Sequence, residues 1–315
     1  MAALLLLLLL LAAAAGVGGT TVPAERDALL ALGDPCERIA ASGGDQRTAQ
    51  RRFFAANRLD TDECVPWVAD SDPCVDGWSG VVCDRATAAD GTDVVVELQL
   101  QYSKLVTLPA NFSDLAHLEA ASLQYNSLSD FPESLPQSLR QLHLTKNAVR
   151  SIPDSWQNLR IEKLELDDNR LESIPEWFGR PGLPLTESLW ELDLDHNLLS
   201  DLPPDFCHVR AWAGGAAADE AASEGEFVLD LDHNNFIEIP ACLASCTGLT
   251  GLELGSNGLR SIPAFIANLT RLRYLKLFNN NIRDLPEQIG QLVRLTSFDL
   301  GEQKKEKKRM LPVFQ

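Results

Sequence analysis

LRQLHLTKNAVRSIP, at residues 139–153, decides how this chain folds. Leu142 and Leu144 alternate with polar residues, as in a short β-strand that buries one face. Asn147 follows the strand, and Ile152-Pro153 completes a pattern of the form L-x-x-L-x-L-x-x-N-x-L-x-x-I/L-P. A single copy cannot bury its own leucines, so the pattern predicts a unit that depends on neighbouring copies.

Seven further copies of this pattern occur from Val95 onward, and a ninth copy begins at Leu295. The second leucine position of the eight copies is held by Leu98, Ala121, Leu142, Leu164, Leu192, Leu229, Leu252 and Leu275. We expect the strands to stack in parallel about 4.8 Å apart with their leucines pointing inward. Each enclosed leucine should stabilise the core by roughly 1.5–3 kcal/mol before entropy is counted.

An asparagine follows the strand in all copies but the first, where Ser103 replaces it. These residues are Asn126, Asn147, Asn169, Asn197, Asn234, Asn257 and Asn280. The chain turns sharply here, and a side-chain amide can satisfy peptide groups that the turn leaves unpaired. The asparagines are therefore predicted to be structural.

The repeated pattern resembles the leucine-rich-repeat family, in its short form with Leu-Pro or Ile-Pro. The resemblance implies an α/β solenoid, a curved horseshoe with a parallel sheet on its concave face, over residues 94–300. It covers eight full repeats and a ninth partial one. After Leu300 the pattern ends in a basic tail, residues 301–315, so we expect no C-terminal cap over the last repeat.

Residues 20–93 resemble the plant-type N-terminal cap of extracellular leucine-rich-repeat proteins. The resemblance rests on ERDALLAL at residues 25–32, DPC at 72–74 and WSGVVCD at 78–84. It implies a helical, disulfide-stapled segment that covers the first repeat. By the same resemblance, Cys74 is expected to pair with Cys83 and Cys36 with Cys64, although spacing alone leaves the connectivity open.

An unbroken apolar run from Ala2 to Ala15, followed by small residues, predicts a secretory signal peptide over residues 1–19. We therefore expect a secreted or cell-surface protein. No later stretch reaches the roughly 20 apolar residues that cross a bilayer. Membrane attachment is expected only if the signal segment stays uncleaved or if a C-terminal part is missing.

The net charge of -18, from 27 basic and 45 acidic residues, argues against nucleic acid as a partner because phosphates would be repelled. A catalytic nucleophile with an oriented base, a metal constellation or a phosphate-binding loop is not evident in the sequence. We therefore predict a protein that is not an enzyme and needs no cofactor.

Two repeats are enlarged, by residues 179–188 and by the low-complexity stretch 211–226, which contains Trp212. Both are interpreted as loops outside the strand ladder. Nearby, a disulfide between Cys207 and Cys242 is predicted, with Cys246 at a position that usually holds a buried apolar residue. The sequons at Asn111 and Asn268 are candidate glycosylation sites away from the concave face.

The side chains that flank the motif leucines should form the concave surface, where a solenoid binds its partner. In the first three repeats this surface is neutral and polar, and Tyr102 and Tyr125 are expected to stack there as a contact for a partner. In repeats four to seven it becomes acidic. The candidate residues are Glu165, Asp167, Asp168, Glu191, Asp193, Asp195, His196, Asp230, Asp232, His233 and Glu253.

Crowded carboxylates repel one another, and a basic ligand would relieve the repulsion. The repeated sequence D-L-D-H-N at 193–197 and 230–234 could instead hold a hard cation such as calcium, but we favour a peptide and assign no metal site. The acidic columns could also be solvated surface without any ligand, as an acidic protein must show acidic groups somewhere.

The sequence thus predicts a non-catalytic recognition protein that binds a protein or basic peptide on repeats four to seven. Two alternatives stay open: the ectodomain of a receptor or receptor kinase whose other parts are absent from this chain, and an inhibitor of a cell-wall-degrading hydrolase. The second rests on the cap resemblance alone. The oligomeric state and the ligand do not follow from the sequence, since one fold serves many partners.

Overall fold

The computed structural model describes residues 21–40, 57, 65–68, 71–84, 93–209 and 227–303. Three α-helices are present in these ranges: α1 (Pro23–Leu32), α2 (Pro35–Ala40) and α3 (Pro184–Ser188). The strands are β1 (Val81–Asp84), β2 (Val94–Gln99), β3 (Ala120–Ser122), β4 (Gln141–His143), β5 (Lys163–Glu165), β6 (Glu191–Asp193), β7 (Val228–Asp230), β8 (Gly251–Glu253), β9 (Tyr274–Lys276) and β10 (Ser297–Asp299). The predicted signal segment lies outside the described residues.

The ten strands form one open sheet in sequence order. Strand β1 is antiparallel to β2, and all later neighbours are parallel. Motif leucines pair with one another across the ladder, as Leu142 does with Leu164 and Leu252 does with Leu275. The predicted solenoid with a parallel sheet is confirmed. We number its coils 1–9 by strands β2–β10 and call the solvent-facing side of the sheet the sheet face.

The core is continuous along the solenoid because each coil stacks its leucines on those of the next. Leu164, Leu166 and Leu171 are fully buried in coil 4, for example. On the other side of this core, short 3₁₀ helices follow the prolines. They span Ala110–Asp114, Asp154–Asn158, Phe206–His208, Ala241–Ser245, Ala264–Asn268 and Glu287–Gln291. The two sequon asparagines, Asn111 and Asn268, lie in these helices, and their glycosylation stays a prediction.

The asparagines form a ladder inside the solenoid. Asn234 Oδ1 accepts a hydrogen bond from the Leu199 amide, and its Nδ2 donates to the carbonyl groups of Leu194 and Leu231. Each asparagine thus joins its own coil to the preceding one. The residue before it has positive φ, for example His196 at 50° and His233 at 53°, which turns the chain so that the amide enters the core.

Gln303 continues this ladder one coil beyond Asn280. Its Oε1 accepts from the Ile282 amide at 2.9 Å, and its Nε2 donates to the carbonyl groups of Leu277 and Leu300. The side-chain amide of Gln303 thus forms the same kind of hydrogen bonds as the asparagine amides, and residues 301–303 complete the turn of coil 9. Residues 304–315, which hold most of the basic tail, lie outside the described part.

The N-terminal helix α1 packs on the 3₁₀ helix of coil 1. Its Glu25 is fully buried, where its carboxylate accepts from the Val95 amide at 3.0 Å and lies 2.8 Å from His117 Nδ1. The predicted Cys74–Cys83 disulfide is present. Cys36 is also disulfide-bonded, but Cys64 lies outside the described residues, so that pairing stays a prediction.

The predicted Cys207–Cys242 disulfide is wrong, because Cys207 pairs with Cys246. Their Cα atoms are 4.8 Å apart, within the range that a disulfide spans. Both cysteines are buried between the 3₁₀ helices of coils 5 and 6, whereas the Cys242 thiol points toward the Leu202 carbonyl and stays free. A disulfide is apolar enough to fill the core position at which a hydrophobic residue was expected.

The insertion at residues 179–188 is not wholly a loop, since it ends in helix α3. Leu185 and Thr186 of this helix are buried, so part of the insertion joins the core. The second insertion, with Trp212, lies outside the described residues. Among the described residues, no helix has both the length and the apolar composition that a membrane-spanning helix needs.

Candidate ligand-binding surface

The sheet face of coils 4–7 carries the predicted acidic residues. We call the following nine carboxylates the acidic surface: Glu165, Asp167, Asp168, Glu191, Asp193, Asp195, Asp230, Asp232 and Glu253. Strand alternation explains their placement, since buried leucines on either side turn the residue between them outward. Glu165, Asp193, Asp230 and Glu253 are strand neighbours in register, so their carboxylates form a single column across four coils.

Lysines pair with the margins of the acidic surface. Lys163 Nζ lies 3.1 Å from Glu165 and 2.8 Å from Glu191, and Lys276 Nζ lies 2.7 Å from Glu253. Lys146 forms an ion pair with Asp168. Lys146 and Lys276 belong to the coils on either side of the acidic surface, so they reach its carboxylates only because the coils stack.

The middle of the acidic surface has no lysine or arginine partner within the described part of the chain. We call it the carboxylate centre; it consists of Asp167, Asp193, Asp195, Asp230 and Asp232. Thr145 Oγ1 donates to Asp167 at 2.6 Å, and the backbone amide of Asp232 donates to Asp230 at 3.0 Å. These neutral donors orient the carboxylates without cancelling their charge.

The pKa values reflect this difference between margin and centre. Burial, together with the neighbouring carboxylates of Asp195 and Asp167, raises the pKa of Asp193 to about 7. Burial likewise raises the pKa of Asp230 to about 7 and that of Asp232 to about 6. At the margin, burial acts to raise the pKa of Glu165, but His143 and Lys163 outweigh it and lower the pKa to about 2.

The carboxylates meet in two triads, each with one oxygen per residue within 4.8 Å of the others. One triad is Asp167, Asp193 and Asp195, and the other is Asp230, Asp232 and Glu253. The two D-L-D-H-N sequences supply two carboxylates to each triad, and neighbouring coils contribute the third, Asp167 or Glu253. Either triad could accept the fork of a guanidinium group.

The two histidines stack beside the carboxylate centre. The rings of His196 and His233 are 3.9 Å apart between centroids and 16° from parallel, and His196 Nδ1 lies 2.6 Å from Asp195. Burial and the neighbouring His196 lower the pKa of His233. The histidines therefore extend the polar surface of coils 5 and 6 at the turn after the strand.

Tyr102 and Tyr125 stack as predicted, with centroids 4.3 Å apart and an angle of 15° between the rings. Both have positive φ and occupy the same turn position as the histidines. Tyr125 is 40% exposed, so its ring is available at the neutral end of the sheet face. Their role in contacting a partner stays a prediction.

Sequence reasoning missed two aromatic residues on coil 8, Tyr274 and Phe278. They occupy outward positions on either side of Lys276, and their rings extend over Gly251 and Gly255 of coil 7. The signal was available in the sequence, as glycine replaces a side chain at the aligned position of the preceding copy in both cases. The glycines alone do not predict this contact, because only the stacked strands bring each one under a ring.

Known proteins support the repeat assignment. A model of the Leucine Rich Repeat family matches residues 188–209, which contain strand β6 and the asparagine turn of coil 5. This chain is a leucine-rich-repeat protein. The remaining coils repeat the same strand, asparagine turn and core positions, although the family model matches only this one stretch.

Several curated relatives share part of this leucine-rich-repeat protein. It is 36% identical over 117 residues to Podocan-like protein 1 of Mus musculus, which covers 36% of this chain and 21% of the relative. It is 35% identical over 116 residues to Lumican of Oryctolagus cuniculus, covering 34% and 56%. Fibromodulin of Homo sapiens is 31% identical over 124 residues, covering 37% and 31%. The chain thus spans less than two thirds of these relatives.

Solved receptor structures have the same architecture. One is the leucine-rich-repeat ectodomain of the plant membrane receptor kinase GASSHO1/SCHENGEN3 from Arabidopsis thaliana, in complex with CASPARIAN STRIP INTEGRITY FACTOR 2. It has a TM-score of 0.58 and 26% identity over 81% of this chain and 29% of the receptor chain. The plant peptide hormone receptor RGFR1 in complex with RGF2 has a TM-score of 0.50 and 26% identity, covering 72% and 37%.

These relationships connect the leucine-rich-repeat protein with receptor ectodomains and with Lumican and Fibromodulin. They confirm the prediction of a secreted or cell-surface protein. The resemblance of residues 20–93 to a plant-type cap stays a prediction.

Proposed function

We propose that this leucine-rich-repeat protein is a non-catalytic recognition protein that binds a basic peptide, or a basic segment of a protein, on its acidic surface. The carboxylate centre is the observation that carries the proposal. Its five aspartates lie close together and none forms an ion pair with a lysine or arginine among the described residues, while the surrounding glutamates are paired. A ligand lysine or arginine would supply the missing charge.

The raised pKa values of Asp193 and Asp230 support this choice of ligand. Keeping two such carboxylates ionised near neutral pH costs free energy in the unbound protein. A cationic side chain offsets that cost upon binding, and its guanidinium group can bind two carboxylate oxygens at once. A plant peptide hormone receptor of the same architecture, solved in complex with RGF2, supports a peptide as the class of ligand.

Salt-dependent binding tests the proposal. We would measure the affinity of the secreted protein for arginine-containing and neutral peptides at 0.05, 0.15 and 0.5 M salt. The screening length is about 8 Å at 0.15 M and becomes shorter as salt rises, so binding by exposed charges should weaken. The variant changes Asp193, Asp195, Asp230 and Asp232 to Asn, which keeps the oxygens that accept backbone hydrogen bonds. A matched control changes four exposed acidic residues outside the strands to their amides: Glu172, Glu176, Glu238 and Asp284.

We expect arginine peptides to bind at least about tenfold more weakly to the four-Asn variant, and the control variant to bind them like the unmodified protein. Both variants lose four negative charges, so they separate a local site from the effect of net charge. Equal weakening in both variants, or binding that ignores salt, would refute the acidic surface as the site.

A second candidate function is that of a receptor ectodomain with this ligand-binding surface. The observation in its favour is the match to the plant receptor kinase ectodomain. The match covers 81% of this chain but only 29% of the receptor chain. The intact mass and membrane partitioning of the endogenous protein test this candidate. A mature product that ends at Gln315 and stays in the soluble fraction would count against it. Inhibition of a cell-wall-degrading hydrolase stays a prediction from the cap resemblance.

A further inference from the structure

Two aromatic rings lie directly on the backbone of coil 7, next to the acidic surface. A Cβ atom at Gly251 would lie 2.1 Å from Cε2 of Tyr274, and one at Gly255 would lie 2.3 Å from Cε1 of Phe278. Both distances are far below van der Waals contact, so no side chain fits beneath either ring. The glycines thus allow the rings to lie on the sheet face while both aromatic residues stay only half-buried.

The rings begin where the carboxylate centre ends. The Gly255 amide donates a hydrogen bond to Asp232, so the Phe278 ring covers the residue that binds the last carboxylate of the centre. Lys276 projects between the two aromatic residues, and its ion pair with Glu253 neutralises the carboxylate of that residue on coil 7. The sheet face therefore changes from anionic to aromatic within one coil.

We propose that the ligand of the acidic surface is a peptide with a large apolar side chain beside its basic residues, and that Tyr274 and Phe278 bind this side chain. The inference rests on the proposed function and narrows its ligand class. The negative charge of the carboxylate centre selects peptides that carry basic residues. The half-buried rings then add apolar contact area that a purely basic peptide leaves unused.

Coil spacing sets the spacing of residues in this ligand. Neighbouring coils are about 4.8 Å apart, and an extended peptide advances about 3.3 Å per residue. The carboxylate centre occupies coils 4–6, and the rings lie over coil 7. An extended peptide that crosses the strands would therefore place its apolar residue about one to three positions beyond the nearest arginine.

The experiment uses synthetic nonapeptides with three arginines and one phenylalanine. The phenylalanine lies one, two or three positions after the last arginine or, in a second set, the same number of positions before the first arginine. Each is compared with the same peptide carrying alanine in place of phenylalanine. We expect the phenylalanine to tighten binding by about two- to tenfold in the best arrangement, as for an aromatic contact. Phe278→Ala and Tyr274→Ala should each reduce this gain and leave the affinity of the alanine peptide unchanged.

Phe265→Ala is the matched control, since it removes a half-buried ring from the 3₁₀ helix Ala264–Asn268, on the other side of the core. Loss of the gain in this variant, instead of in Phe278→Ala or Tyr274→Ala, would overturn the inference. Salt-sensitive binding with no preference for phenylalanine would overturn it too, yet would leave the proposed function intact. If arginine peptides of either kind fail to bind, the proposed function falls and this inference falls with it.

Discussion

The interior asparagine ladder and the carboxylate centre lie a few residues apart in the same coils, but their polar groups have opposite energetic effects. Asn234 is buried and forms hydrogen bonds to peptide groups of two coils. Burial and the charges of neighbouring carboxylates raise the pKa values of Asp193 and Asp230, whose hydrogen-bond donors are all neutral. A buried polar group with partners stabilises the solenoid, whereas like charges crowded on its surface destabilise it and leave free energy for a ligand to recover.

Removal of a ladder residue should have the largest effect on stability. In Asn234→Ala, the Leu199 amide and the carbonyl groups of Leu194 and Leu231 lose their side-chain partner inside the core. We expect the free energy of unfolding to fall by about 3 kcal/mol or more, measured by urea denaturation. Asn235→Ala is the control, because Asn235 is exposed and donates one bond to the Leu198 carbonyl. Equal losses in the two variants would contradict the ladder's role.

Neutralising the carboxylate centre should have a smaller effect of opposite sign. The folded-state pKa values of Asp193 and Asp230 are near 7, above the usual 3.8, so folding favours their protonated forms. Their contribution to stability is therefore full below about pH 4 and is lost as pH rises to about 7. The double variant Asp193→Asn with Asp230→Asn should be more stable at pH 7.5 by about 1 kcal/mol, after allowance for solvent screening.

Thermal unfolding of both proteins between pH 5 and pH 8 measures this effect. The midpoint of the unmodified protein should fall with rising pH more steeply than that of the double variant. Glu172→Gln with Glu238→Gln is the control, as both residues are exposed and lie outside the strands. Identical pH profiles for the unmodified protein and the double variant would show that the two aspartates are not destabilising.

The pH dependence of binding should follow from the same groups with a smaller effect. Asp193, Asp230 and Asp232 lose their protons between about pH 6 and pH 7, so an arginine peptide should bind several-fold more tightly at pH 7.5 than at pH 5.5. Titration calorimetry at both pH values would measure the change. A stronger affinity at pH 5.5 would contradict the assignment, and the four-Asn variant should show little pH dependence.

The smallest effect on binding is expected at the neutral end of the sheet face. Tyr125→Ala removes the stacking contact with Tyr102, which should lower the free energy of unfolding by about 0.5–1.5 kcal/mol. Coils 1–3 lack the crowded carboxylates, so the affinity for an arginine peptide should stay the same. A loss of affinity as large as that of the four-Asn variant would extend the binding surface to coils 1–3.

The sequence by itself determined the repeated unit, the inward leucines, the asparagine ladder, the position of the acidic surface and the stacked tyrosines. These features depend on residues that recur at fixed intervals, and strand alternation then fixes which side each residue faces. Only the tertiary structure decided which lysines pair with which carboxylates, that Cys207 bonds with Cys246, that Gln303 extends the ladder and that Tyr274 and Phe278 cover two glycines. These contacts join neighbouring coils, so they depend on how the coils stack and on where each side chain ends, which the repeat pattern does not contain.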